Sequence, residues 1–152
     1  MGKITPTLTL SSNSSAATKN PGPLSVALTL SATDQLDVDR VTSDTKSLNA
    51  TTSLVLDGSA LLAIDSDTGV PGTHGGFLYL KNVSATDLDI FVGMVADGNT
   101  DALSSNDDAQ RSFTLKQNEW AWVPWDCTGD LTAQGEDANC LLEYWFFNRS
   151  NA

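Results

Sequence analysis

Short runs of alternating apolar residues recur along this chain, and polar turns close each of them; this pattern constrains the fold more than any other feature. Residues 24–30 place Leu24, Val26, Leu28 and Leu30 on one side, and residues 35–41 place Leu36 and Val38 together. SLVL at 53–56 and LLAI at 61–64 are shorter runs, each stopped by an Asp-containing turn. GFLYLKN at 76–82, LDIFVGMV at 88–95, SFTL at 112–115, EWAWVPW at 119–125 and LLEYWFF at 141–147 follow. Alternation of this length marks strands half buried on a sheet. No long window carries a 3.6-residue period; residues 98–111 have room for one helical turn at most. The expected class is all-β, an antiparallel β-sandwich of jelly-roll-like type.

With 152 residues, one domain of this class is the natural size. The first 23 residues differ in texture. MGKITPTLTL alternates Ile4, Leu8 and Leu10 with threonine, and SSNSSAATKNPGP has no apolar period. The reading is an extended N-terminal arm or linker over 1–23, and a sandwich over 24–152. The opening lacks an apolar leader core, so no secretory signal is expected.

Charge excludes some functions. Nineteen acidic residues stand against eight Lys and Arg, for a net charge of -11. The basic residues are scattered, so the chain lacks the clustered cations that bind nucleic acid by releasing counterions. No apolar run approaches a membrane-spanning length. Neither nucleic acid nor membrane is expected as a partner.

Residues with chemical potential are few. His74, the single histidine, lies in a glycine-rich loop and cannot alone form a zinc site. No Gly-x-Ser-x-Gly elbow is present, so it reads as a loop residue. Glu119 and Glu143 are the carboxylates on apolar strands, but nothing marks them as an acid–base pair. Two Asp-rich loops, with Asp65 and Asp67 in one and Asp97 and Asp101 in the other, are weak calcium candidates; neither completes a helix-flanked calcium loop. No catalytic residue and no cofactor are expected.

Cys127 and Cys140 leave two readings open. They are free buried thiols, which a reducing compartment favours, or they close a loop of about 14 residues in a disulfide worth roughly 3 kcal/mol. Trp120, Trp122 and Trp125, with Tyr144, Trp145 and Phe147, concentrate rings in the last third. Alternation puts Trp120 and Trp122 on one strand face. These rings read as core plus subunit interface, with a sugar-stacking platform as the alternative.

The segment FLYLKNVSATD at 77–87 resembles the LYLKN-x-S/T-x-T strand and hairpin of tailed-bacteriophage virion proteins. FTLKQNEWAWVP at 113–124 is similar to the pattern L-x-x-G/N-E-x-A-x-x-P in the same proteins, with Asn118 in place of the more usual glycine. LLEYWFF resembles their closing strand, and the segment from Cys127 to Cys140 is an insertion relative to them. The resemblance implies a structural virion protein, a small β-sandwich that decorates and cements the capsid. It implies the major capsid protein and further copies of itself as partners, the latter in a homotrimer. It further implies a place on the capsid surface after synthesis in the host cytoplasm. Ile4, Leu8, Leu10, Trp120, Trp122 and Trp125 are then the expected interface residues, and residues 1–23 a capsid-contacting or subunit-swapping arm. A tail or fibre component of the virion and a carbohydrate-binding β-sandwich module are the alternatives.

Overall fold

A computed structural model of the chain describes residues 2–4, 9–10, 28–29, 36–64, 75–96, 98–99, 101–103 and 110–149. In chain order its elements are β1 (Gly2–Ile4), β2 (Thr9–Leu10), β3 (Leu28–Thr29), β4 (Leu36–Leu48), β5 (Ser53–Leu56), α1 (Gly58–Ile64) and β6 (Gly76–Asn82). There follow β7 (Ile90–Val95), β8 (Arg111–Leu115), β9 (Trp120–Trp125), β10 (Asp130–Gly135) and β11 (Cys140–Arg149). One sheet runs β1-β4-β11-β6-β9, the other β5-β10-β7-β8, and β2 pairs with β3 in a small ribbon. Every pairing is antiparallel. Counted from β4, the strand orders are first-eighth-third-sixth and second-seventh-fourth-fifth. That is the double Greek key of a jelly roll, and it bears out the expected all-β sandwich.

Alternation builds the core. Leu78 and Leu80 on β6, Leu142 and Phe146 on β11, Ile90 and Val92 on β7, and Leu131 on β10 are all buried between the sheets. Each such side chain contributes roughly 1.5–3 kcal/mol relative to exposure.

One end of the sandwich is tied by Asn82, which is fully buried at the end of β6. Its amide nitrogen donates to the Leu88 and Leu115 carbonyls at 2.7 and 2.9 Å, and its side-chain oxygen accepts from the Ser84 N–H at 3.0 Å. Its backbone carbonyl accepts from the Asn118 N–H, while its own N–H donates to the Glu119 carbonyl. The Ser84 hydroxyl accepts from the Leu141 N–H. The Asn and Ser of the LYLKN-x-S pattern therefore join the β6–β7 and β8–β9 connections to the start of β11. Asn118 has φ of 64°, a left-handed conformation that glycine adopts freely and asparagine tolerates. The turn accordingly accepts either residue.

Several elements differ from expectation. Residues 61–64, expected as a strand, belong to helix α1. The Asp57 carboxylate accepts from the Ala60 N–H and the Ser59 hydroxyl, both at 2.8 Å, and caps the helix. Both contacts hold its pKa below the usual carboxylate value, the Ala60 bond most strongly. β10 falls where a connector between the cysteines is expected, yet all six of its residues are buried. β4 runs on through residues 42–48, where no strand is expected. Of residues 24–30, only Leu28 and Thr29 form a described strand. Part of the expected arm is a sheet strand, since Gly2, Lys3 and Ile4 pair with Val38, Asp37 and Leu36. Residues 104–109, within the stretch where a helical turn is expected, lie outside the described residues.

Candidate interaction face

The side chains of β6, β9 and β11 that point away from the core are mostly aromatic. Alternation turns Phe77, Tyr79 and Lys81 outward on β6, since Leu78, Leu80 and Asn82 face in. On β9 it turns Trp120, Trp122 and Pro124 outward, and on β11 Glu143, Trp145 and Phe147. The register sets Trp145 opposite Tyr79 and Phe147 opposite Phe77 across β11 and β6. It sets Tyr79 opposite Trp122 across β6 and β9.

Six rings therefore share one sheet face. Phe77 stacks on Trp122 with centroids 5.6 Å apart and planes 12° from parallel. Trp122 also meets Phe147 at 5.3 Å, and Trp145 stacks on Phe147 at 6.3 Å and 15°. Tyr79 stacks on Trp120 at 6.3 Å. Trp120 is 46% exposed and Trp145 40%, so the rings pack on one another without leaving solvent. At the β9 edge the face turns into a groove of about 590 Å³ between β8 and β9, lined by Phe113, Leu115, Trp120 and Ala121 among others.

Charge is scarce on this face. Lys81 and Glu143 lie opposite each other across β6 and β11, and the Trp145 indole N–H donates to the Glu143 carboxylate at 3.0 Å. Partial burial, and secondarily the Glu143 charge, raise the Tyr79 phenol above its usual pKa of 10.0. A chain with net charge -11 thus turns out a nearly uncharged aromatic surface.

The expected site residues divide. Trp120 and Trp122 lie on the open face. Trp125 does not: it is 5% exposed, faces the core and meets Phe146 edge-on at 5.5 Å. Its place as an interface residue is corrected to a core role, because alternation reverses the face between positions 122 and 125. Phe77 and Tyr79 were not anticipated there; their signal was the period-two alternation of GFLYLKN. Ile4 and Leu10 fall in β1 and β2, whose side chains are not among those described, and Leu8 lies outside the described residues. So do His74, Asp65, Asp67 and Asp97.

Asp101 is described, and its contacts are within its own loop and to the β4–β5 connection. Its carboxylate accepts from the Gln110 side-chain amide, its N–H donates to the Asn99 side chain, and its carbonyl accepts from the Thr52 hydroxyl. Among the described residues no group of three His, Cys, Asp or Glu stands together to hold a metal. Glu119 accepts from the Lys116 N–H at 2.9 Å and closes its own turn.

Cys127 and Cys140 are both buried and are not joined in a disulfide here. Cys140 packs beside Gly135 at one end of β10, its thiol 3.7 Å from the Asp89 carbonyl. Cys127 precedes the other end, where a Cβ on Gly58 would lie 2.6 Å from the Cys127 carbonyl. The five steps of β10 span roughly 17 Å, against the ~7 Å between Cα atoms that a disulfide permits.

Compared with known proteins, the chain matches no family model, no curated protein and no solved structure. Among the described residues no helix is long and apolar enough to cross a membrane.

Proposed function

We propose that this chain is a non-enzymatic virion structural protein, a capsid decoration protein that binds the major capsid protein through its aromatic sheet face. The observation carrying the proposal is that face: six rings on three adjacent strands, with one acid and one base among them. Interface cores are rich in aromatic residues and poor in charge, which matches this composition. The jelly roll serves capsid and lectin domains alike, so the architecture accords with the reading without selecting it. The mechanism is mechanical. The face covers apolar surface at joints between capsid subunits, and each Å² of apolar area removed from water adds roughly 25 cal/mol against shell expansion.

The half-exposed Trp120 and Trp145 favour a second reading, a carbohydrate-binding module. A sugar stacks on an open ring face, whereas here Phe77 and Trp122, Trp145 and Phe147, and Tyr79 and Trp120 stack on each other. That mutual cover supports a protein partner over a glycan.

The test is co-expression with the major capsid protein of the same genome, followed by sedimentation of assembled shells. The chain is expected on the shells in many copies, and a Trp120→Ser/Trp145→Ser variant that keeps its circular dichroism is expected to lose about tenfold in affinity, or ~1.4 kcal/mol. Absence of the unmodified chain from intact shells overturns the proposal, and a few copies per particle point to a tail or fibre part. Saturable quenching of tryptophan fluorescence by oligosaccharides supports the second reading.

A further inference from the structure

Strand β4 has β11 along one side for most of its length, but on the other side β1 covers only residues 36–38. Among the described residues nothing pairs with the outer side of residues 39–48. An open strand edge is a template for another strand, and proteins that stay monomeric blunt such edges. Among the described residues the blunting of this edge is slight: the Thr45 N–H donates to the Asp44 carboxylate at 2.7 Å, and Lys46 is the one lysine along residues 39–48. The sequence VTSDTKSL at 41–48 is β-branched and hydroxyl-rich, carries one acid and one base two residues apart, and contains no proline or glycine. Asp44 and Lys46 therefore point to the same face, and Lys46 has no carboxylate in ion-pair reach among the described residues.

We propose that this edge is a docking site for the same edge of a second copy, pairing β4 with β4 antiparallel about a two-fold axis at Thr45. In that register Asp44 of each copy lies opposite Lys46 of the other, so two cross-strand pairs of opposite charge form. Thr45 meets Thr45, and Ser43 meets Ser47, the hydroxyl pairs that suit antiparallel neighbours. A two-fold at residue 44 opposes two aspartates, and one at residue 46 opposes two lysines. Charge thus selects one register and disfavours its neighbours. On pairing, the Asp44 carboxylate exchanges the Thr45 N–H for the lysine of the second copy, and Thr45 N–H becomes a ladder donor. The contact is isologous and closes on itself, so it yields a dimer and no fibre.

The axis stands perpendicular to the sheet and keeps both aromatic faces on one side. Four strands of each copy form a continuous sheet that carries two aromatic faces in parallel. Any partner bound by one face is then held by two, with the gain in avidity that linked sites bring. The pairing itself does not depend on the capsid reading.

The experiment is light scattering after size exclusion, at low salt and at the highest concentration the protein tolerates. The unmodified chain is expected at twice its 16.1 kDa. Lys46→Asp alone places acids opposite acids, Asp44→Lys alone places bases opposite bases, and each is expected to run as a monomer with unchanged circular dichroism. Mixed together, the two variants restore opposite charges at every contact and are expected to form a heterodimer. The double swap Asp44→Lys/Lys46→Asp is likewise expected to dimerise. A monomeric or trimeric unmodified chain overturns the proposal. So does a dimer that both single variants leave intact, or a mixture of the two variants that stays monomeric.

Discussion

On the β5-β10-β7-β8 sheet, the outward side chains of β10 are Asp130, Thr132 and Gln134, and a loop lies over them. The Gln134 side-chain oxygen accepts from the Leu103 N–H at 2.7 Å and the Thr52 hydroxyl at 3.1 Å, and its nitrogen donates to the Ala50 carbonyl. Asp130 accepts from the Gly58 and Gly98 N–H groups. Leu103 is fully buried on this outer side, seated where Gly93 has no side chain; a Cβ there would lie 2.9 Å from its methyl group. On β11, β6 and β9 of the other sheet the outward side chains are mostly rings, and no described segment covers them. The usual arrangement is reversed: polar residues lie under a roof and apolar ones lie open. Polar groups bonded to a loop hold it in place, whereas an uncovered apolar face on a soluble surface marks contact with something else. One face is thus tied down from within the chain, and the other is the one proposed above to meet a partner.

Removing an anchor from each face gives the widest separation between them. Leu103→Ala empties a fully enclosed site under the roof and is expected to cost about 3 kcal/mol of stability. Trp145→Ser, on the open face, is expected to cost about 1 kcal/mol or less, since its lost contacts are half solvated. Urea unfolding of both variants measures the difference. Equal losses would mean that the aromatic face is an extension of the core, and the contrast would fail.

A smaller effect tests what holds the roof. Gln134→Ala leaves the Leu103 N–H, the Thr52 hydroxyl and the Ala50 carbonyl without this partner, in a place water enters poorly. The expected cost is about 2 kcal/mol. Amide exchange should quicken at Leu103 while that of Trp145 and Tyr79, on the other sheet, stays unchanged. Quickening on both sheets would show that the roof holds the whole sandwich and not one face.

The roof also accounts for what the sequence conceals. β6, β7, β8, β9 and β11 were legible because each is a short run of apolar and aromatic residues closed by polar turns. β10 was not, because DLTAQG has just two core residues, Leu131 and Ala133, and its buried polar side chains read as a loop. Only the tertiary partners of Gln134 and Asp130 make those residues strand residues. The second half of β4 was missed for a related reason: TSDTKS has no apolar alternation, being an edge with one side open. LLAI was misread as a strand because a run of four apolar residues suits either element, and the Asp57 cap makes it helical. On the candidate site, the tryptophans of EWAWVPW were visible from the chain alone. Their partners Phe77 and Tyr79 lie some 40 residues earlier and join them only through the register of β6 against β9.

The most delicate comparison uses the chain's two tyrosines, because each faces a different side of the same sheet. Tyr144 points inward and is 8% exposed; Tyr79 points outward among the rings. Both phenols are raised above 10.0, in each case first by burial and then by a carboxylate, Asp44 for Tyr144 and Glu143 for Tyr79. The sign follows from the proton balance. Below pH 10.0 both tyrosines are protonated in the folded and unfolded chain, and they leave stability unchanged. As pH rises past 10.0, the unfolded chain releases these protons first, and the folded state loses stability until its own phenols have titrated. Tyrosinate absorbance is therefore expected to rise in two late steps, with Tyr79→Phe assigning one of them. Glu143→Gln should bring the Tyr79 step down towards 10.0 and leave Tyr144 where it is. A shift of both steps would mean that the carboxylate acts through the sheet and that the two faces are electrostatically one. A partner seated on the aromatic face makes the opposite change, since covering Tyr79 removes more water from its phenolate and raises its step alone. The same titration, repeated on shells that carry the protein, thus reports directly whether the open face is the one that is covered.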